Sequence, residues 1–272
     1  MRRTGCDLVL IGLLLFVSGC GKQVESRELE LELSSAEQSW LGEQVFRNEC
    51  ASRAACLVHW NEGEAFPSLG IGHFIWYPTG VNGPFVESFP AMIDHLMGSG
   101  VELPHWVARL DPFDAPWANR DEFLRAGDDP EIRELRGFLA ATRDQQAGFL
   151  SGRALKALDR VLGAAPEPER GRLYGRLQAL VGTPGGVYAV VDYVNFKGEG
   201  LAASERYDDQ GWGLLQVLQA MDDRAGKTVL QAFRESAVIV LTRRADNADK
   251  AIERERWLPG WLNRLETYRE PD

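Results

Sequence analysis

From about residue 86 to its C-terminus the chain is a succession of helix-length segments. Hydrophobic residues recur at three- and four-residue spacing over 89–98, 119–127, 130–150, 152–163, 167–181, 184–197, 211–223, 226–245 and 258–268, a period that places them on one helical face. Glycine and proline separate the segments, as in Gly182-Thr183-Pro184-Gly185-Gly186. Rows such as Leu155, Leu158, Val161 and Leu162, or Val238, Ile239 and Leu241, read as core faces. Residues 101–118, with Pro104, Pro112, Pro116, Trp106 and Trp117, read as an extended connection. With 272 residues, such a body can bury a sizeable core without metal or disulfide staples.

The region before it is different. Ser34-Ser35-Ala36-Glu37 fits a capping box. Trp40, Leu41, Val45 and Phe46 follow at helical spacing, which predicts a helix over about 35–49. Leu57-Val58-His59-Trp60 and Ser68-Leu69-Gly70-Ile71 are short strand candidates on either side of the turn-rich Asn61-Glu62-Gly63-Glu64. The expected class is mainly α (α+β), a helical body with one small β-hairpin near the N-terminus. Residues 35–272 form one domain on this reading, with a hairpin lobe over about 35–85 and a helical lobe over about 86–272.

Residues 1–19 have the build of a secretory signal. Arg2 and Arg3 precede the apolar stretch Leu8 to Val17, which is too short to span a bilayer as a helix. Val17-Ser18-Gly19-Cys20 resembles a bacterial lipobox, which implies cleavage before Cys20, acylation of that residue and a membrane anchor. Gly21, where an Asp would signal inner-membrane retention, favours the outer membrane facing the periplasm. Residues 20–34 read as a polar, acidic tether. Outside the signal and the lipobox, Cys50 and Cys56 remain, and a pair six apart in an oxidising compartment reads as a small-loop disulfide. Thirty Lys and Arg stand against forty Asp and Glu, a net charge of −10. That argues against a nucleic-acid binder, which usually carries a basic face. His59, His95 and His105 are scattered and point to no metal site, and no cofactor motif is present; the oligomeric state is not legible.

The chemistry concentrates in Arg47-Asn48-Glu49-Cys50, Trp60-Asn61-Glu62-Gly63-Glu64 and Ser68-Leu69-Gly70-Ile71-Gly72-His73. A glutamate at the C-terminal end of a helix sits where the dipole disfavours its anion, and a hairpin closing over it adds to that effect. A carboxylic acid held protonated can protonate a leaving oxygen. Glycoside hydrolysis pairs such an acid with a second carboxylate across the sugar, for which Glu62 and Glu64 are candidates. Gly70 and Gly72 leave room for close backbone approach, useful where a polysaccharide lies along a strand.

Ser-Leu-Gly-Ile-Gly-His resembles the Thr-Ile-Gly-Ile-Gly-His signature of phage-type lysozymes, in the lysozyme superfamily. The order helix, terminal Glu, hairpin is the same. The resemblance implies Glu49 as general acid, Glu62 at the acidic position, Ser68 at the hydroxyl position and His73 as a hydrogen-bonding residue near the substrate. Leu258-Pro259-Gly260-Trp261-Leu262-Asn263-Arg264 is similar to the family's closing Gly-containing segment with Arg. A second stretch, Asp192-Tyr193-Val194-Asn195-Phe196-Lys197-Gly198-Glu199-Gly200, then Glu205-Arg206-Tyr207 and Gly211-Trp212-Gly213-Leu214-Leu215-Gln216, is similar to lytic transglycosylases, where a Glu precedes a Gly-Leu-Met-Gln segment. It is expected to form the opposite wall of one cleft, with Glu199, Glu205 and Tyr207 binding sugar or one Glu acting as second carboxylate. The implied activity is general-acid cleavage of the glycan strand of peptidoglycan, as a muramidase or a lytic transglycosylase. The alternative is a non-catalytic peptidoglycan-binding or scaffold lipoprotein that keeps the cleft.

Overall fold

The computed structural model describes residue 29 and residues 33–127, 129–222 and 226–271. The signal, Cys20 and most of the tether lie outside the described residues. The protein is mainly α-helical with a small antiparallel sheet near the N-terminus.

Helix α1 (Ser35–Cys50) starts as its sequence predicts. The Ser34 hydroxyl accepts from the Glu37 N–H at 3.3 Å, and the Glu37 carboxylate accepts from the Ser34 N–H at 2.8 Å. Leu41, Val45 and Phe46 turn into the core. The helix stops at Ala51, which takes a left-handed conformation with φ 48°.

The expected two-stranded hairpin is a three-stranded antiparallel sheet of β1 (Val58–His59), β2 (Ser68–Leu69) and β3 (Phe74–Ile75), in that order. Strand β2 ends two residues earlier than 68–71 predicts, because the chain reverses over Gly70–His73, with φ 69° at Gly70. Buried Gln146 staples this turn. Its side-chain oxygen accepts from the Ile71 N–H at 2.9 Å, while its amide donates to the Leu139 carbonyl at 2.7 Å. A Cβ at Gly70 would lie 2.4 Å from the Gln146 oxygen, and one at Gly72 would lie 2.7 Å from the Phe74 ring. Packing inside the protein is thus enough to require glycine at both positions.

Helices α2 (Phe89–Gly98), α3 (Arg120–Ala126), α4 (Pro130–Ala141), α5 (Arg143–Ala164), α6 (Glu167–Val181) and α7 (Pro184–Lys197) follow. The break expected near residue 151 falls instead at Thr142. Its hydroxyl donates to the Phe138 carbonyl at 2.9 Å and accepts from the Gln146 amide at 3.0 Å, a back-bond that bends a helix. A second hairpin absent from the sequence reading, β4 (Arg206–Tyr207) and β5 (Gln210–Gly211), precedes α8 (Leu214–Ala220). Asp208 and Asp209, at φ 47° and 60°, make its turn, as short polar side chains tolerate. The chain closes with α9 (Val229–Asn247), a π turn over Glu253–Trp257, and α10 (Leu258–Leu265).

Helix α7 is apolar all round and is buried from Gly185 to Tyr193. It packs against α1, α5, α6, α8 and α9, the environment that such a helix requires. Among the described residues no helix is long and apolar enough to cross a membrane.

Candidate active site

Three helix ends and one turn converge. The last turn of α1 brings Glu49, the C-terminal half of α7 brings Asp192, Asn195 and Phe196, α10 brings Arg264, and the turn before β3 brings His73. Glu49, Gly72, His73, Asn195, Phe196 and Arg264 line one cavity of about 450 Å³, together with Phe85, Val86 and Arg153. Phe85 and Val86 stand exposed at its rim.

Glu49 is 12% exposed. One carboxylate oxygen accepts from Arg264, and the other lies 3.4 Å from His73 Nδ1. Arg264 also forks onto Asp192, with both donor–acceptor distances at 2.8 Å. Asp192 is 1% exposed and further accepts from the Tyr268 hydroxyl at 2.7 Å. The Asn48 amide donates to Tyr188 at 2.6 Å and to Thr267 at 3.2 Å, and Tyr188 bonds Thr267 at 2.7 Å. Glu49 therefore stands at the wet edge of a buried polar network. Burial opposes the charge of Arg264, but the neighbouring Asp192 and Glu49 outweigh it and hold its pKa above the ordinary arginine value. Burial, and then the charge of Asp192, push the Tyr268 and Tyr188 hydroxyls up.

The disulfide Cys50–Cys56 closes beside Glu49. His73 Nε2 lies 3.3 Å from Cys56 Sγ, so one imidazole touches both the disulfide and Glu49. Among the described residues, Cys50, Cys56 and His73 are the one group of three that clusters like metal ligands. With both sulfurs in a disulfide neither is a thiolate, the form that binds metal, and His73 alone cannot hold an ion.

The other expected site residues stand elsewhere. Glu62 is exposed in the turn before β2 and does not line the cavity. The Glu64 carboxylate accepts from Asn61 at 3.0 Å. Ser68 is buried in the middle strand, paired with His59 and Ile75. Glu199 accepts a bidentate pair from Arg160 at 2.5–3.2 Å and lines a smaller adjoining cavity. Glu205 turns inward and accepts from the N–H groups of Gly200 and Leu201 at 2.6 and 2.9 Å. Tyr207 donates to Glu253 at 2.7 Å and packs on Trp212. The expected opposite wall thus carries Glu199 near the groove, while Glu205 and Tyr207 hold their own loop.

No model of a known protein family matches this chain, and neither does any curated protein or solved structure.

Phe85 and Arg153 were not singled out from the sequence, and Asp192, Asn195 and Phe196 stood there only as part of the second stretch, without a role of their own. Asp192 carried a readable signal: an aspartate inside the apolar run Val187–Tyr193 must be paired when that helix is buried. The others belong to the cavity only through tertiary packing.

Behind the site, Lys197 Nζ lies 3.4 Å from the centre of the Trp261 ring and 4.0 Å from that of Phe196. The rings favour its charge, yet burial, helped by Arg244 and Arg264, dominates and lowers its pKa from 10.5 to about 6. Between these two values the unfolded chain holds one more proton than the native one, so this group makes stability rise with pH across that window. Lys197→Met removes the slope. Its Tm gain over wild type should be largest near pH 6 and shrink toward pH 10. Parallel Tm profiles for the two proteins over pH 6–9 would contradict the assignment.

Proposed function

We propose that this protein is a lipid-anchored, lysozyme-like enzyme that cleaves the glycan strand of peptidoglycan, with Glu49 as the general acid. One observation carries the reading. The residue to which the Ser68–His73 motif directs attention is a largely buried carboxylate on a cavity wall, beside His73 of that motif and Arg264 of the closing segment. Phe85 and Phe196 offer apolar faces to sugar rings in the same cavity.

In the proposed reaction Glu49 gives its proton to the glycosidic oxygen as the bond from that oxygen to the anomeric carbon breaks. His73 Nδ1, at 3.4 Å, is the group placed to exchange protons with the acid. Among the described residues, no second carboxylate lines the cavity. That favours attack on the anomeric carbon by the sugar's own 6-hydroxyl, whose proton returns to Glu49, over attack by water activated by a second carboxylate. The products would be one fragment ending in a 1,6-anhydro sugar and one whose freed hydroxyl, carrying the proton from Glu49, makes its new non-reducing end. The anchor would be the acylated Cys20, holding the domain on the outer membrane facing the periplasm.

Zymography on purified sacculi, with product masses, tests the reading. Clearing by wild type and not by Glu49→Gln, with products one water lighter than hydrolysis gives, is the expected result. A second reading has an observation in its favour: Arg264 already occupies Glu49, which suits a glycan-binding scaffold. Binding to sacculi without any clearing would establish that reading.

The disulfide gives a further expectation. A six-residue closure contributes about 2 kcal/mol by chain entropy. Its position, next to Glu49 and against His73, makes reduction cost more in activity than in stability. Reduced protein that clears sacculi at the wild-type rate would show that the bridge does not position Glu49.

A further inference from the structure

Arg153 projects from α5 where two cavities meet. It lines the Glu49 cavity together with Asn195, and both residues also line the smaller cavity that holds Glu199 and Arg160. The two cavities thus form one groove, with Arg153 and Asn195 at the passage between them.

The other guanidiniums of this groove are matched. Arg264 holds Glu49 and Asp192, and Arg160 holds Glu199. Arg153 has no carboxylate partner among the described residues. Its remaining contact is the Phe149 ring, with 5.9 Å from Cζ to the ring centre. Desolvation, and then the charge of Arg160, lower its pKa, yet the side chain is exposed on the groove surface, so its donors are open to a ligand. A general basicity does not explain this, since the chain carries −10. A planar fork of donors next to the neutral Asn195 amide matches a carboxylate.

We propose that Arg153 recognises a free carboxylate on the sugar, so that the groove selects acidic glycan over neutral glycan of the same length. The proposal rests on the glycan reading above. In peptidoglycan this group is the lactyl carboxylate of muramyl residues whose peptide has been removed. Uronic acids offer the same chemistry.

Binding measured by calorimetry on the full chain tests it, in a Glu49→Gln background so that bound glycan stays uncut. Three probes of equal length serve: peptide-free oligosaccharides with muramyl residues, oligogalacturonate, and neutral chito-oligosaccharide. Without a change at Arg153, an acidic probe should bind at least about tenfold tighter than the neutral one, the scale of a charge-assisted pair. Arg153→Gln should bring that ratio close to one, and Arg153→Lys should retain part of it. Preference for the muramyl probe alone identifies the lactyl group as the ligand; preference for both acids identifies any sugar carboxylate. A ratio near one before the change, or one that survives Arg153→Gln, overturns the proposal and leaves the glycan reading standing. No binding by any probe at millimolar concentration overturns the glycan reading, and this proposal with it.

Discussion

Glu49→Gln should lower clearing of sacculi by about 10²-fold or more, the scale of a lost general acid. Glutamine keeps the shape of the side chain and can still accept from Arg264, so binding of glycan should persist. Stability should change little. The side chains of Glu49 and Arg264 are 12% and 13% exposed, and Arg264 keeps its fork on Asp192, so the loss is on the order of 1 kcal/mol. The measurements are initial clearing rates and thermal melts of the two proteins. A Gln variant that cleaves as fast as wild type removes Glu49 from the mechanism and makes Glu199, across the passage at Arg153, the next carboxylate to change.

Asp192→Ala should be the most destabilising single change near the site. It strips the bidentate acceptor from Arg264, leaving that guanidinium only its bond to Glu49, and removes the acceptor of the buried Tyr268 hydroxyl. Breaking a buried ion pair from one side costs about 3–5 kcal/mol, which for a domain of this size is a fall in Tm of about 10 °C. Asp192→Asn keeps an acceptor for one arm of the fork and should fall between. In the Ala variant Glu49 becomes the only carboxylate left to Arg264, so activity should fall further than in Asn at a temperature where both are folded. An unchanged Tm for Asp192→Ala would mean that the network does not hold the α7–α10 junction.

How far the sequence could be read depends on how local each cause is. The N-cap at Ser34 was legible because both bonds of the capping box join residues three apart. The bounds of α2, α6 and α7 were legible from apolar period and punctuation. The Cys50–Cys56 pairing was legible from spacing. Glu49 and His73 were legible as candidates, and they do meet in one cavity.

What the sequence missed rests on contacts between distant segments. The helix break at Thr142 and the end of β2 both turn on Gln146, whose side-chain partners lie four, seven and 75 residues before it in sequence. No window of local pattern contains that triangle. Glu62, placed by its distance from His73, stands exposed in the turn before β2 and does not line the cavity. Glu205, read as a sugar ligand, spends one carboxylate oxygen on backbone N–H groups within five residues.

By itself, the sequence determined the helical class, the small sheet near the N-terminus and the disulfide, because each is set by short-range periodicity, capping or spacing, while Glu49 and the turn at His73 were brought together by the motif's resemblance. The tertiary structure alone decided that Arg264, 215 residues from Glu49, and Asp192 share one buried network, and that Arg153 stands in the groove without a carboxylate partner among the described residues. A charge finds or lacks its partner only once the helices that carry the two groups have packed.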